Sequence, residues 1–139
     1  TNLNRQIAAL SSTAGLYKAE VLAARFKDSN PDLDCCAEVR FIKPDECEEL
    51  LSSPFDLVVD AIDDVPAKVA FLKTAVAKGI PVVSAMGAGG KRDISKIQLA
   101  DISKTFGDPL ARKVRSELRK LGINLTCDPV FASRDLFID

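Results

Sequence analysis

Arg5, Lys18, Asp60 and Asp63 are the side chains of this sequence with the types needed to handle a polyphosphate. A guanidinium offers phosphate a fixed fork of donors, an ammonium acts as a mobile point charge, and carboxylates hold a hard cation such as magnesium beside phosphate oxygens. Such a set can surround a nucleoside triphosphate and its metal and neutralise a departing pyrophosphate. Arg5 lies in the opening run Thr1-Asn2-Leu3-Asn4-Arg5-Gln6, Lys18 closes Gly15-Leu16-Tyr17-Lys18, and the acids belong to Asp60-Ala61-Ile62-Asp63-Asp64. Taken singly, each base is an ordinary surface charge, and Asp63 or Asp64 is a helix cap ahead of Pro66. Asp60 directly extends Leu57-Val58-Val59 and so needs a partner.

The elements around these residues alternate in the α/β manner. A helical turn over 5–10 leads to cap candidates at Ser11, Ser12 and Thr13, then a helix over 15–27 with Leu16, Ala19, Ala23 and Phe26 on one side. Residues 36–42 fit a strand, and 44–51 a short helix with Pro44 near its start. Residues 55–60 have the composition of a buried parallel strand. Pro66 opens a helix reaching Lys78, with Val69, Leu72 and Val76 as its inward stripe; Gly79 ends it, and 80–84 form another strand. This strand–helix–strand order implies a Rossmann-like, mostly parallel sheet with flanking helices, one domain over 1–139. Ligands of such sheets gather at the carboxyl ends of the strands, where Asp60 and Asp63 fall. A Rossmann nucleotide site begins with a strand, a glycine-rich turn and a helix N-terminus. No such unit lies upstream of Thr1, so the expectation is a partial domain with its first βαβ unit missing.

Further along, Gly87-Ala88-Gly89-Gly90 lacks the Lys-Ser/Thr of a P-loop; it either admits a ligand to the backbone or is a plain turn. Residues 97–102 alternate like a half-exposed strand. Pro109 opens a helix over 109–120 with Leu110, Val114, Leu118 and Leu121 inward, Gly122 stops it, and a further element starts after 123. That last helix carries Arg112, Lys113, Arg115, Arg119 and Lys120, of which Arg112, Arg115 and Arg119 share a face. Such a stripe is either solvated or a contact for an RNA backbone, with no aromatic platform for reading bases.

Composition sets the outer bounds. An apolar content of 47% over 139 residues and a mean hydropathy of +0.07 support a packed core. The 19 bases and 20 acids leave a net charge of -1, so local patches decide any nucleic-acid binding. Without histidine, no serine–histidine or cysteine–histidine mechanism can be assembled from this chain. Cys35, Cys36, Cys47 and Cys127 form no CxxC and no zinc spacing, which reads as reduced thiols in an intracellular protein. No apolar run approaches membrane-spanning length, and the N-terminus is not a signal peptide.

The order of Thr1-Asn2-Leu3-Asn4-Arg5-Gln6, Gly15-Leu16-Tyr17-Lys18, Asn30-Pro31 and Val58-Val59-Asp60-Ala61-Ile62-Asp63 resembles the E1-like, ThiF-type adenylating enzymes over nearly the whole chain. Within them the chain is most similar to the tRNA threonylcarbamoyladenosine dehydratases. The segments that carry this are Gly87-Ala88-Gly89-Gly90-Lys91, residues 97–105 and 108–115, and Cys127 with Val130-Phe131-Ala132-Ser133. The resemblance implies ATP and magnesium as cofactors and a tRNA-borne threonylcarbamoyl carboxylate as substrate, closed to a ring with net loss of water. It implies Asn2 and Arg5 at the triphosphate, Lys18 in charge neutralisation, Asp63 on magnesium and Asp60 in support of the nucleotide site. It also implies a cytoplasmic homodimer that acts on tRNA rather than DNA, and an isolated fragment that is inactive. The alternative reading is an activator of a ubiquitin-like or sulfur-carrier protein tail.

Overall fold

The computed structural model describes residues 6–89, 93, 95, 97–123 and 131–135, the last stretch by its backbone. The chain divides into two compact units, Thr1–Phe41 and Ile42–Asp139. In the first, the expected helical turn is a single turn over residues 6–9, closed by the Ala9 amide on the Gln6 carbonyl (2.9 Å), followed by a 3-10 turn over Ser11–Thr13. The Thr13 hydroxyl decides this local shape: it accepts from the Leu10 amide (2.9 Å) and donates to the Ala8 carbonyl (2.8 Å). Side-chain bonding of this kind diverts the backbone from a helix. Helix α1, Lys18–Ser29, follows and buries none of its residues completely. Leu16 and Phe26, expected on its inward side, are exposed. Residues 36–42, expected as a strand, have no strand partner among the described residues, and an extended segment without a ladder is not a strand.

The second unit contains a four-stranded sheet. Helix α2, Cys47–Leu50, entered through a 3-10 turn at Pro44–Glu46, precedes β1, Val58–Asp60. Helix α3, Val65–Ala77, leads to β2, Val82–Ser84. Then come β3, Ile97–Asp101, helix α4, Pro109–Lys120, and β4, Phe131–Asp135. The spatial order is β1-β2-β4-β3. β1 pairs parallel to β2 with Val58 opposite Val82 and Asp60 opposite Ser84; β4 is parallel to β2, and β3 runs antiparallel at the far edge. The element begun after residue 123 is thus β4, inserted between β2 and β3.

The core lies under one face of this sheet. Val58 and Val82 turn inward to Val69, Leu72 and Ala75 of α3 and to Ala111, Val114 and Leu118 of α4, with Cys47, Leu51 and Ile102 completing it. Helix α3 is buried almost all round, because it packs on the sheet, on α2 and on α4. Its end at Lys78 is set by Gly79, whose φ of 66° is the left-handed value that favours glycine. The strand β1 is not buried on both faces as its composition suggested: Val59 is 69% exposed, since α3 and α4 both cover the opposite face. Leu121, expected inward, caps α4 from an exposed position. Among the described residues no helix is long and apolar enough to cross a membrane.

Candidate active site at the carboxyl edge of the sheet

β1 runs apolar until its last residue, and the partner that Asp60 needs is Lys68. Both side chains are fully buried, and Lys68 Nζ stands 2.7 Å from Asp60 Oδ2. Ser84 Oγ, at the register-matched end of β2, donates to the same oxygen at 2.5 Å, and the Ile62 amide donates to Oδ1 at 2.9 Å. Lys68 donates further to the carbonyls of Ala85 (2.8 Å) and Ile62 (3.1 Å). An ammonium has three donors, and here each finds an oxygen. A buried charge pair is tolerable only when the remaining donors and acceptors are satisfied in this way. One ammonium therefore ties together the end of β1, the loop that follows it and the exit of β2.

That loop presents Asp63. Its side chain is exposed, and none of the described residues forms a hydrogen bond or ion pair with it. The next acid behaves differently: Asp64 is the N-cap of α3, accepting from the Ala67 amide at 3.0 Å. The two capping alternatives in the sequence are thus resolved, with Asp64 the cap and Asp63 available to a ligand. A free carboxylate at the carboxyl edge of a parallel sheet fits a magnesium ion held mainly by phosphate oxygens and water. Among the described residues no group of three His, Cys, Asp or Glu could hold a metal by itself. Asp60 is 1% exposed and accepts from three donors, so it supports the edge from inside.

On the other side of the edge, the glycine turn begins against α4. A Cβ on Gly87 would lie 3.0 Å from Asp108 Oδ2. Asp108 itself is the buried N-cap of α4 and accepts from the Ala111 amide at 2.7 Å. Gly87 is accounted for by this close approach, and Gly89 has open space around its Cα.

Lys18 belongs to the first unit, as the exposed first residue of α1. It borders a hollow of 260 Å³ within that unit, shared with Gln6, Thr13 and Gly15. Asn2, Arg5 and Cys127 lie outside the described residues. Lys68 is the residue that the sequence reading missed. It stands at i, i+4 and i+7 with Leu72 and Ala75 on an apolar stripe, a lysine where the pattern asks for an apolar side chain, eight positions after a strand-terminal acid.

A mostly parallel sheet with helices on it, and acids at its carboxyl edge of which one has no partner among the described residues, defines a Rossmann-like domain of the kind that takes ligands at that edge. Residues 1–128 match the ThiF family, and the chain belongs to that family. It is 39% identical over 132 residues to the tRNA threonylcarbamoyladenosine dehydratase of Bacillus subtilis, covering 95% of this chain and 52% of that protein. With the Escherichia coli protein of the same name it shares 42% over 119 residues, covering 86% of this chain and 44% of the relative. The crystal structure of the E. coli tRNA N6-threonylcarbamoyladenosine dehydratase in complex with ATP superimposes with a TM-score of 0.91 at 36% identity, over 98% of this chain and 58% of that one. The chain spans about half the length of the curated relatives it matches.

Proposed function

We propose that the protein of which this chain forms part is an ATP-dependent dehydratase that cyclises threonylcarbamoyladenosine in tRNA. The observation that supports this most is the exposed Asp63, without a partner among the described residues, on a loop pinned by a buried ion pair, in a chain similar over most of its length to proteins of that name. Arg5 and Asn2 bind the triphosphate, Lys18 neutralises charge on the departing pyrophosphate, and Asp63 holds Mg2+. The metal, when bound, screens the phosphate oxygens and so favours attack by the threonylcarbamoyl carboxylate. The activated carbonyl carbon is then attacked from within the same side chain; one carboxylate oxygen departs with the activating group, and the nucleoside loses one water overall. Asp60, Lys68 and Ser84 take no part in bond making; they hold residues 61–63 and 85–87 in place. The working enzyme is a cytoplasmic homodimer in this reading.

The test uses the full-length protein with ATP, magnesium and threonylcarbamoyladenosine-bearing tRNA, followed by digestion and mass spectrometry of the nucleosides. ATP-dependent loss of one water from that nucleoside supports the reading. An unchanged nucleoside with ATP-competent, folded protein transfers the proposal to activation of a protein carboxyl terminus.

A further inference from the structure

Helix α4 is asymmetric in a way that its packing does not require. One stripe, Ala111, Val114 and Leu118, is buried in the core. Beside it run Arg112, Arg115 and Arg119, spaced i, i+3 and i+7, and together with Ser116 and Lys120 they frame an open hollow of 490 Å³. The helix carries five bases and one acid, in a chain whose net charge is -1. That acid, Glu117, is already paired with Lys120 at 2.8 Å. Arg112 and Arg119 have no acidic partner among the described residues. Arg115 is held in place: its Nη1 donates to the Ile102 carbonyl at 3.4 Å and to the Thr105 hydroxyl, which leaves Nε and Nη2 for a ligand.

Burial first, then the neighbouring Arg119, with a smaller push from Arg112, lowers the Arg115 guanidinium below its usual value; Asp108 opposes them. Arg115 therefore stands close enough to Arg112 and Arg119 to be repelled by both, and Asp108 offsets this only at Arg115. An isolated ion pair would relieve one of them. A chain of phosphates relieves all three, since the row extends for about 10 Å along the helix axis. No aromatic residue lies in Pro109–Lys120, so the helix itself offers bases no stacking platform and presents guanidinium groups to a phosphate backbone.

We infer that the Arg112–Arg115–Arg119 face of α4 is a docking surface for the sugar-phosphate backbone of an RNA. The inference depends on the proposed function only for the identity of that RNA as the substrate tRNA. Its residues lie on α4 and not on the loop that presents Asp63, so it contributes to substrate capture rather than to chemistry.

The experiment compares full-length wild-type protein with Arg112→Glu/Arg119→Glu, both exposed positions, and with Lys27→Glu/Lys73→Glu, also exposed, as a charge-matched control on α1 and α3. Binding of fluorescent tRNA is followed by anisotropy between 50 and 200 mM salt (roughly the range over which phosphate contacts report), and ATP binding is followed in parallel. The double variant is expected to bind tRNA about tenfold more weakly, with a salt slope lower by about two, one for each lost phosphate contact. ATP binding stays as in the wild type, and so does tRNA binding by the control. Unchanged affinity and slope in the double variant overturn the inference. So does an equal loss in the control, or an equal preference of the wild type for polyglutamate or anionic vesicles. If the wild type binds tRNA through this face yet leaves threonylcarbamoyladenosine unchanged, the surface stands and the proposed reaction falls.

Discussion

The two compact units of this chain manage charge in opposite ways. In Thr1–Phe41 no described side chain is fully buried, and Lys18 meets water at the start of α1. In Ile42–Asp139 a continuous core encloses Lys68, whose ammonium has three protein oxygens in place of solvent. The two residues are of one type, but the first can approach a ligand and the second can only shape the ground on which a ligand sits. The charge on Lys18 is exposed and screened; the charge on Lys68 is fixed by the packing that surrounds it.

The widest gap between the units should appear on truncating these two lysines. Lys68→Ala leaves Asp60 buried without its counter-charge and is expected to cost about 3–5 kcal/mol of stability. Lys18→Ala changes stability by less than about 0.5 kcal/mol, as exposed substitutions do, while ATP-dependent turnover is lost. Denaturant titration of both variants checks this. A Lys68→Ala protein as stable as the wild type would mean that the buried pair holds nothing.

A smaller effect is expected at the cap beneath the glycine turn. Asp108→Ala removes the acceptor of the Ala111 amide and should cost about 0.5–2 kcal/mol, measured as a shift in thermal midpoint. At Asp63 the same substitution is expected to leave stability within about 0.5 kcal/mol while raising the magnesium concentration needed for activity. Equal destabilisation at the two positions would show that Asp63 is structural as well.

Thiol chemistry gives the gentlest contrast. Cys36 is exposed, whereas Cys47 is buried, and that burial, then Asp45, Glu46 and Glu48, pushes its thiol above the usual value. Because the thiolate is the reactive form, iodoacetamide should label Cys36 first and Cys47 last in a mass-resolved time course. The linkage has a definite sign. The folded protein keeps the Cys47 proton more firmly than the unfolded chain, so this contribution is complete below an unfolded thiol pKa of about 8.5. It declines as pH rises from there towards the folded value. Early labelling of Cys47 would indicate that α2 opens readily.

Much of the second unit is readable from local pattern alone. Pro109 to Gly122 delimits α4 because a proline at the first turn and a glycine past the last act within one turn of the chain. Val58-Val59-Asp60 and Val82-Val83-Ser84 were identifiable as strands, and so was the placement of Asp60 and Asp63 at the ligand edge. Residues 36–42 misled, because a segment that fits a strand still needs a ladder, and a ladder needs a neighbour that sequence does not name.

What the sequence determined by itself was family membership, the β–α–β order and the residue types at the edge, since each rests on short-range pattern or on the order of motifs. Which acid is free and which is a cap, why Asp60 is tolerated in a core, and that Lys68 is its partner were decided by tertiary structure. So was the insertion of β4 between β2 and β3. The reason is physical: burial and ion pairing depend on distances between residues far apart in the chain, and those distances exist only once the sheet has closed over its helices.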